Sequence, residues 1–292
     1  MTTPERIVFS VEGVKVVGDL HLPEGNGPFS SVLVAGPMTS VKEQVTGTYA
    51  RALAAHGFAA LAIDHRHYGE SGGEPRQWEY YPHKLADLVE AVAWLKADAR
   101  VNANRIGAVG ICLGAGYALQ ALAGHPDVNA IAAVAGYYRD VPAMQAADPE
   151  GFADRVAQGK AAREHYEKTG EVELIPAVAL EGDAAMLLQS TYDYYAGRAR
   201  HPNYRNEFAV MSREAFLQFD VQSAASKVKQ PFLMLHGPNA LNPSWAEKFF
   251  DNVQGPKERA FLTSKGQTDI YDDPKIVGPA SAHIAQFLEE NL

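Results

Sequence analysis

Apolar positions along this chain recur in two rhythms that take turns. Residues 6–11 and 14–22 are β-rich runs split by Glu12-Gly13, which predicts an opening hairpin. Residues 30–35 form a short apolar run closed by Gly36-Pro37 and read as a buried strand. Val41, Val45, Tyr49 and Leu53 then fall at helical spacing, and Gly57 is a suitable C-terminal stop, which predicts a helix over 41–56. A strand over 58–63 follows, ending in the polar, glycine-rich loop 64–73. Leu85, Leu88, Val89, Val92 and Leu95 make one face of a second helix. Strands are predicted over 105–111 and 130–135.

From Tyr137 to about Val228 the alternation stops. This stretch is rich in charge, Ala and Tyr, includes Tyr192-Asp193-Tyr194-Tyr195, and reads as a helical or irregular insertion lying over the strand ends. The rhythm resumes with a strand over 231–236, a helix over 244–252, a strand over 259–263, and a last helix using Val277, Ala280, Ile284, Phe287 and Leu288. Strands alternating with helices imply a mostly parallel sheet covered on both faces, with the hairpin as an antiparallel edge. The expected architecture is an α/β core made of 1–136 and 229–292, with a helical cap over 137–228.

The chemistry concentrates in Gly110-Ile111-Cys112-Leu113-Gly114, set between a strand and a helix-like run. Strand, tight turn, nucleophile and helix is the layout of a nucleophile elbow, with glycines two residues to either side because strand and helix approach closely there. A thiol at that turn sits at a helix N-terminus, where free N–H groups and the dipole favour a thiolate. A small buried hydrophobe is the alternative for a lone cysteine.

Composition removes several function classes. The 292 residues suit one large α/β domain with an insertion, or two small domains, and 47% hydrophobic residues suffice for a full core. A formal charge of −9 argues against nucleic acid or an anionic membrane as partner. A single cysteine excludes a disulfide framework and a Cys-based zinc site, and no histidine pair has convincing metal-ligand spacing. The first residues show no apolar signal region and no apolar stretch approaches 18 residues, so a cytoplasmic protein is expected. The expected partner is a small-molecule substrate, with no cofactor and a monomer or homodimer.

The elbow, together with Val41-Lys42-Glu43-Gln44, the loop Asp64-His65-Arg66-His67-Tyr68-Gly69-Glu70-Ser71-Gly72-Gly73-Glu74-Pro75-Arg76 and Asp269-Ile270-Tyr271-Asp272, resembles the α/β-hydrolase superfamily. The cysteine elbow is the variant of dienelactone hydrolases. The whole chain is similar to a bacterial α/β-hydrolase branch related to fungal polyketide transferases and thiohydrolases. The resemblance implies Cys112 as nucleophile and an oxyanion hole from backbone N–H groups of Leu113 and of Met38 or Thr39, with Met38 preferred because Pro37 cannot donate.

It also implies an acid after the strand ending at His236 and a histidine after the last strand. The first loop reads His236-Gly237-Pro238-Asn239-Ala240-Leu241-Asn242, without a carboxylate, and Gln267 stands where the histidine is expected. Glutamine cannot take a proton at neutral pH. Gln267 and Asp269 are therefore the candidates for handling protons or holding substrate, although an Asp in a turn more often shapes the turn. Thr39, Glu43, His67, His236 and Tyr192 are candidate substrate contacts. The last four have bland alternatives: dipole-complementing surface carboxylate for Glu43, loop-holding or core histidine for His67 and His236, packing of the insertion for Tyr192. Three functions remain open. One is acyl transfer or cleavage of an ester or thioester at Cys112. The second is lyase, dehydratase or cyclase chemistry using the oxyanion hole, and the third is ligand binding without catalysis.

Overall fold

The computed structural model describes residues 3–292. Its central sheet has eight strands: β1 (Glu5–Val11), β2 (Val14–His21), β3 (Phe29–Ala35), β4 (Ala59–Asp64), β5 (Val101–Ile111), β6 (Ala130–Val134), and, after the insertion, β9 (Phe232–His236) and β10 (Lys257–Phe261). Their spatial order is β1-β2-β4-β3-β5-β6-β9-β10. The β1–β2 and β2–β4 pairs are antiparallel and all others parallel. Every residue of β4, β6 and β9 is buried, which is why these runs are continuously apolar rather than alternating.

Helices cover both faces. Helix α1 (Val45–Ala55) packs with α10 (Pro274–Asn291), and α2 (Tyr81–Ala97) packs with α3 (Leu113–Leu122). Helix α1 begins four residues later than the spacing predicts. Residues 41–44 form a separate turn instead, in which the Gln44 side chain accepts from the Val41 N–H and the Lys42 N–H donates to the Asp64 carboxylate at 2.8 Å. Val41 is buried by this loop, so it keeps the apolar rhythm without being helical.

The segment between β6 and β9 contains α4 (Val141–Ala147), α5 (Pro149–Thr169), a two-stranded ribbon of β7 (Leu174–Ile175) and β8 (Phe208–Ala209), the short helices α6 (Gln189–Tyr192) and α7 (Ser212–Phe216), and irregular turns. The ribbon is a feature the helical reading of this stretch lacks. Beyond β9 lie α8 (Pro243–Asn252) and α9 (Asp269–Asp272). No helix of the described residues is long and apolar enough to cross a membrane.

Candidate active site

Strand β5 ends at Ile111, α3 begins at Leu113, and Cys112 makes the turn between them at φ 54° and ψ −124°. A residue with a Cβ rarely holds a positive φ, so the surroundings must enforce it. They do so through the backbone. The Cys112 N–H donates to Val134 O at 3.1 Å, and its carbonyl accepts from Ala115 N at 3.1 Å and Tyr137 N at 2.9 Å. The flanking glycines are steric necessities. A Cβ on Gly114 would lie 2.2 Å from Ala35 O, and one on Gly110 would lie 2.3 Å from Ala115 Cα.

Three neighbours act to lower the thiol pKa: the Tyr271 hydroxyl, the Leu113 N–H and the Gln267 amide. The amide's orientation follows from its partners. Gln267 Oε1 accepts the Leu241 N–H at 3.0 Å, so its Nε2 faces Ala135 O at 2.8 Å and the Tyr271 oxygen at 3.3 Å. Because the amide donates to the tyrosine oxygen, the Tyr271 proton is free to point at sulfur. Tyr271 is itself buried and pushed well above its ordinary pKa by desolvation, which keeps it a donor. Burial raises the Cys112 thiol, and the three donors only partly offset this. Burial thus works against the thiolate that a helix N-terminus favours.

On the other side of the turn, Met38 and Leu113 both line the cavity at Cys112. The loop carrying Met38 is tied from behind. Thr39, at φ 59°, donates its N–H to Glu79 Oε2 at 2.9 Å. Glu79 is fully buried, accepts the Tyr117 hydroxyl at 2.6 Å and pairs with Lys84 Nζ at 2.5 Å. Burial alone would raise the Glu79 carboxyl, but Lys84, Tyr117 and the Thr39 N–H hold it below its ordinary value.

The cavity measures about 300 Å³. Its walls are mostly apolar, with Met144, Met186, Leu187, Leu188 and Phe216 from the insertion and Leu241 from the loop after β9. Its polar groups include Gln267, Tyr271, Tyr137 and Arg139. A cavity of about 340 Å³ around His21 and Arg51 lies beside α1 and includes none of these residues.

Of the residues singled out in the sequence, Cys112, Gln267, Met38 and Leu113 meet at the cavity, and the others are placed elsewhere. Thr39 is buried behind its loop. Glu43 precedes α1 instead of starting it, and binds Lys42 Nζ at 2.5 Å and Asn203 Nδ2 at 2.7 Å. His67 is enclosed in its own loop, with Nδ1 on Pro75 O at 3.0 Å and Nε2 on His83 Nδ1 at 2.8 Å. His236 ends β9 and lines a different cavity, of about 110 Å³. The Asp269 carboxylate accepts the Lys265 N–H at 2.9 Å and shapes that turn. Tyr192 stands 36% exposed on the insertion, while its neighbours Thr191 and Tyr195 line the cavity. In the loop where an acid was expected, Asn239 Nδ2 donates to Ser264 O at 2.8 Å.

Glu43, Asp64 and Glu70 bring three carboxylates together, but they surround the Lys42 ammonium, which lies 2.5, 3.6 and 2.7 Å from them. The sequence reading assigned no role to Tyr271, Arg139 or Glu79. A tyrosine in a four-residue helix and an arginine beyond a strand end carry no local signal. Only the sheet topology brings them to Cys112 or its supporting loop.

The sheet order, the strained cysteine elbow and the cavity at the parallel strand ends define an α/β hydrolase. The chain belongs to the X-Pro dipeptidyl-peptidase (S15) family, whose model matches residues 12–267. PA2218, an uncharacterized protein of Pseudomonas aeruginosa, is 28% identical over 96% of this chain and 78% of its own. Its crystal structure matches with a TM-score of 0.84 at 26% identity, covering 99% of this chain and 93% of that one. Thiohydrolase aneE of Aspergillus aculeatus is 26% identical over 97% of this chain and 92% of its own. The crystal structure of the α/β hydrolase GrgF from Penicillium shares the fold, with a TM-score of 0.83 at 22% identity and 99% of both chains covered. A Penicillium polyketide transferase of that name is 29% identical over 43% of this chain and 42% of its own.

Proposed function

We propose that this protein is an acyl-handling enzyme in which Cys112 takes the acyl group of a thioester or ester and passes it to a nucleophile carried by the substrate or a co-substrate. The observation that carries this reading is the commitment of Gln267. Its amide is held as a donor beside the sulfur, where a hydrolase of this fold would need a proton acceptor to activate water. An amine or a thiol as acceptor of the acyl group needs that help less than water does, since a neutral amine attacks without prior deprotonation and a thiol is far more acidic. Cys112 attacks the carbonyl carbon, the S–H proton goes to the departing thiol, and an incoming amine or thiol later returns a proton to the Cys112 sulfur as its own nitrogen or sulfur takes the acyl group. Tyr271, hydrogen-bonded to the sulfur, is placed to relay these protons, and the N–H groups of Met38 and Leu113 are the donors for the carbonyl oxygen. The names of two relatives, a thiohydrolase and a polyketide transferase, agree with thioester or acyl substrates.

Incubation with an acyl N-acetylcysteamine thioester, read by intact-protein mass, tests this. An acyl adduct is expected on the native protein, absent from Cys112→Ala, stable in water and discharged by an added amine or thiol. Full turnover of the true substrate by Cys112→Ala would sink the covalent reading. It would support a second one: a neutral donor array of Tyr271, Gln267 and the Met38 and Leu113 N–H groups holding an enolate, as in a lyase or cyclase.

A further inference from the structure

Arg139 follows β6 by five residues and lines the cavity that contains Cys112. It is 1% exposed. Its guanidinium lies over the Phe216 ring, 4.3 Å from the centroid. Nη2 donates to Leu217 O at 3.1 Å and reaches Met144 Sδ at 3.7 Å, whereas Nε is buried and has no partner. Among the described residues no carboxylate oxygen lies within 4.0 Å of it. The acids nearest in sequence or space are occupied. Asp140 accepts the Ala143 N–H and binds Lys248, and Asp220 accepts the N–H groups of Val141 and Ser223. Other buried guanidinium groups here are neutralised: Arg66 by Asp87 and Glu12, Arg213 by Asp183.

An arginine keeps its charge even when burial lowers its pKa. A full positive charge beside a neutral ring, a carbonyl and a thioether is costly unless a counter-charge arrives. Packing on Phe216 accounts for one face and for Nη2. It does not account for the unpaired Nε or for the missing counter-ion. Tyr137, also in the cavity wall, feels both Arg139 and Cys112, so the two charged or chargeable groups serve one cavity.

We propose that Arg139 anchors a carboxylate on the substrate, so that this site takes acyl compounds bearing an acid group, seated with the acid on the guanidinium and the reacting carbonyl toward Cys112. The orientation rests on the Cys112 reading above; the carboxylate anchor does not. The planar fork suits a carboxylate in a two-point contact, which a neutral ester of the same shape cannot accept.

Glutaric acid monoanilide and its methyl ester form a matched pair of probes differing in one negative charge. Calorimetric titration into Cys112→Ala protein, where no covalent step intervenes, is expected to show the acid binding roughly tenfold to a hundredfold tighter, as for charge-assisted hydrogen bonds. Adding Arg139→Gln should abolish that ratio, and Arg139→Lys should keep part of it. Should Arg139→Gln not fold, Arg139→Met, which puts an apolar side chain of similar length against Phe216, takes its place. Equal affinities for acid and ester in the Arg139 protein, binding of neither, or an undiminished ratio in Arg139→Gln would overturn the proposal. A parallel reaction of native protein with the p-nitrophenyl half-ester of glutaric acid isolates the other reading. No adduct there, beside an intact binding ratio, removes Cys112 as nucleophile and leaves the Arg139 anchor standing.

Discussion

Replacing Glu79 with alanine should cost this protein more stability than almost any other single polar change, although Glu79 is not itself in the cavity wall. The side chain is fully buried, pairs with Lys84 Nζ at 2.5 Å, and accepts from Tyr117 Oη at 2.6 Å and Thr39 N at 2.9 Å. Alanine leaves Lys84 in the interior with only the faces of Tyr68 and Tyr117, 4.7 and 5.0 Å away. Removing one partner of a buried pair costs ~3–5 kcal/mol. Burial already lowers the Lys84 pKa. The stranded amine will therefore shed its proton, which sets the lower part of that range as the expectation. At ~2–4 °C per kcal/mol for a domain approaching this size, the melting temperature should fall by about 6–15 °C.

The double variant Glu79→Leu/Lys84→Met separates the pair from the packing. With both charges gone it should recover most of the loss, since an apolar replacement of a buried ion pair is often neutral or better. It should not recover reactivity at Cys112, because the Thr39 N–H still lacks its acceptor and the Met38 loop its tether. Thermal and urea melts followed by circular dichroism, alongside the adduct assay, measure both effects. A melting temperature within about 3 °C of native for Glu79→Ala would refute this account of the loop. So would a double variant as unstable as the sum of the singles.

Alkylation of Cys112 against pH should give a midpoint above the ordinary thiol range, and Tyr271→Phe should move it higher, since that hydroxyl lowers the thiol pKa; an unchanged or lower midpoint in Tyr271→Phe would remove the hydrogen bond. Gly114→Ala forces a Cβ to 2.2 Å from Ala35 O and 2.5 Å from Gly36 O, and should cost ~3 kcal/mol or more by urea denaturation. Burial pushes His67 and His21 down from 6.5 to about 4, so between these values the unfolded chain binds more protons than the folded one. Stability should therefore fall as pH drops through that window, by at most ~1.4 kcal/mol per unit for each histidine. His67→Asn should make the urea midpoint less steep in pH between 6.5 and 5, and an unaltered slope would contradict the burial argument.

The elbow was legible because its requirements are local. Two glycines, a preceding apolar run and a following helix pattern occupy one short stretch, and the steric reason for Gly110 and Gly114 acts within it. Strand positions were legible for the same reason, since a buried parallel strand is an uninterrupted apolar run. The start of α1 was not legible, because the Val41–Gln44 turn is held by the Asp64 carboxylate from another strand end. Tyr271 reaches sulfur only because α9 is fixed by Tyr49, whose hydroxyl donates to Ile270 O at 2.8 Å, 221 residues away in the chain. Arg139 and Glu79 are conspicuous only once burial and counter-ions are known, and neither quantity exists in a string of residues. Burial of the thiol is hidden in the same way: the helix terminus that favours a thiolate is visible in the sequence, the desolvation that opposes it is not.

The Gln267 amide has an evolutionary consequence. It is fastened to three separate chain segments, through the Leu241 N–H, the Ala135 carbonyl and the Tyr271 hydroxyl. An imidazole has two ring nitrogens to set against these three engagements, and nothing in the loop around Asn239, whose amide is spent on Ser264 O, would orient it. A mutation back to histidine would thus loosen this corner before it supplied a working base. Descendants of this chain are more easily diverted among chemistries that dispense with a base than returned to one that needs it.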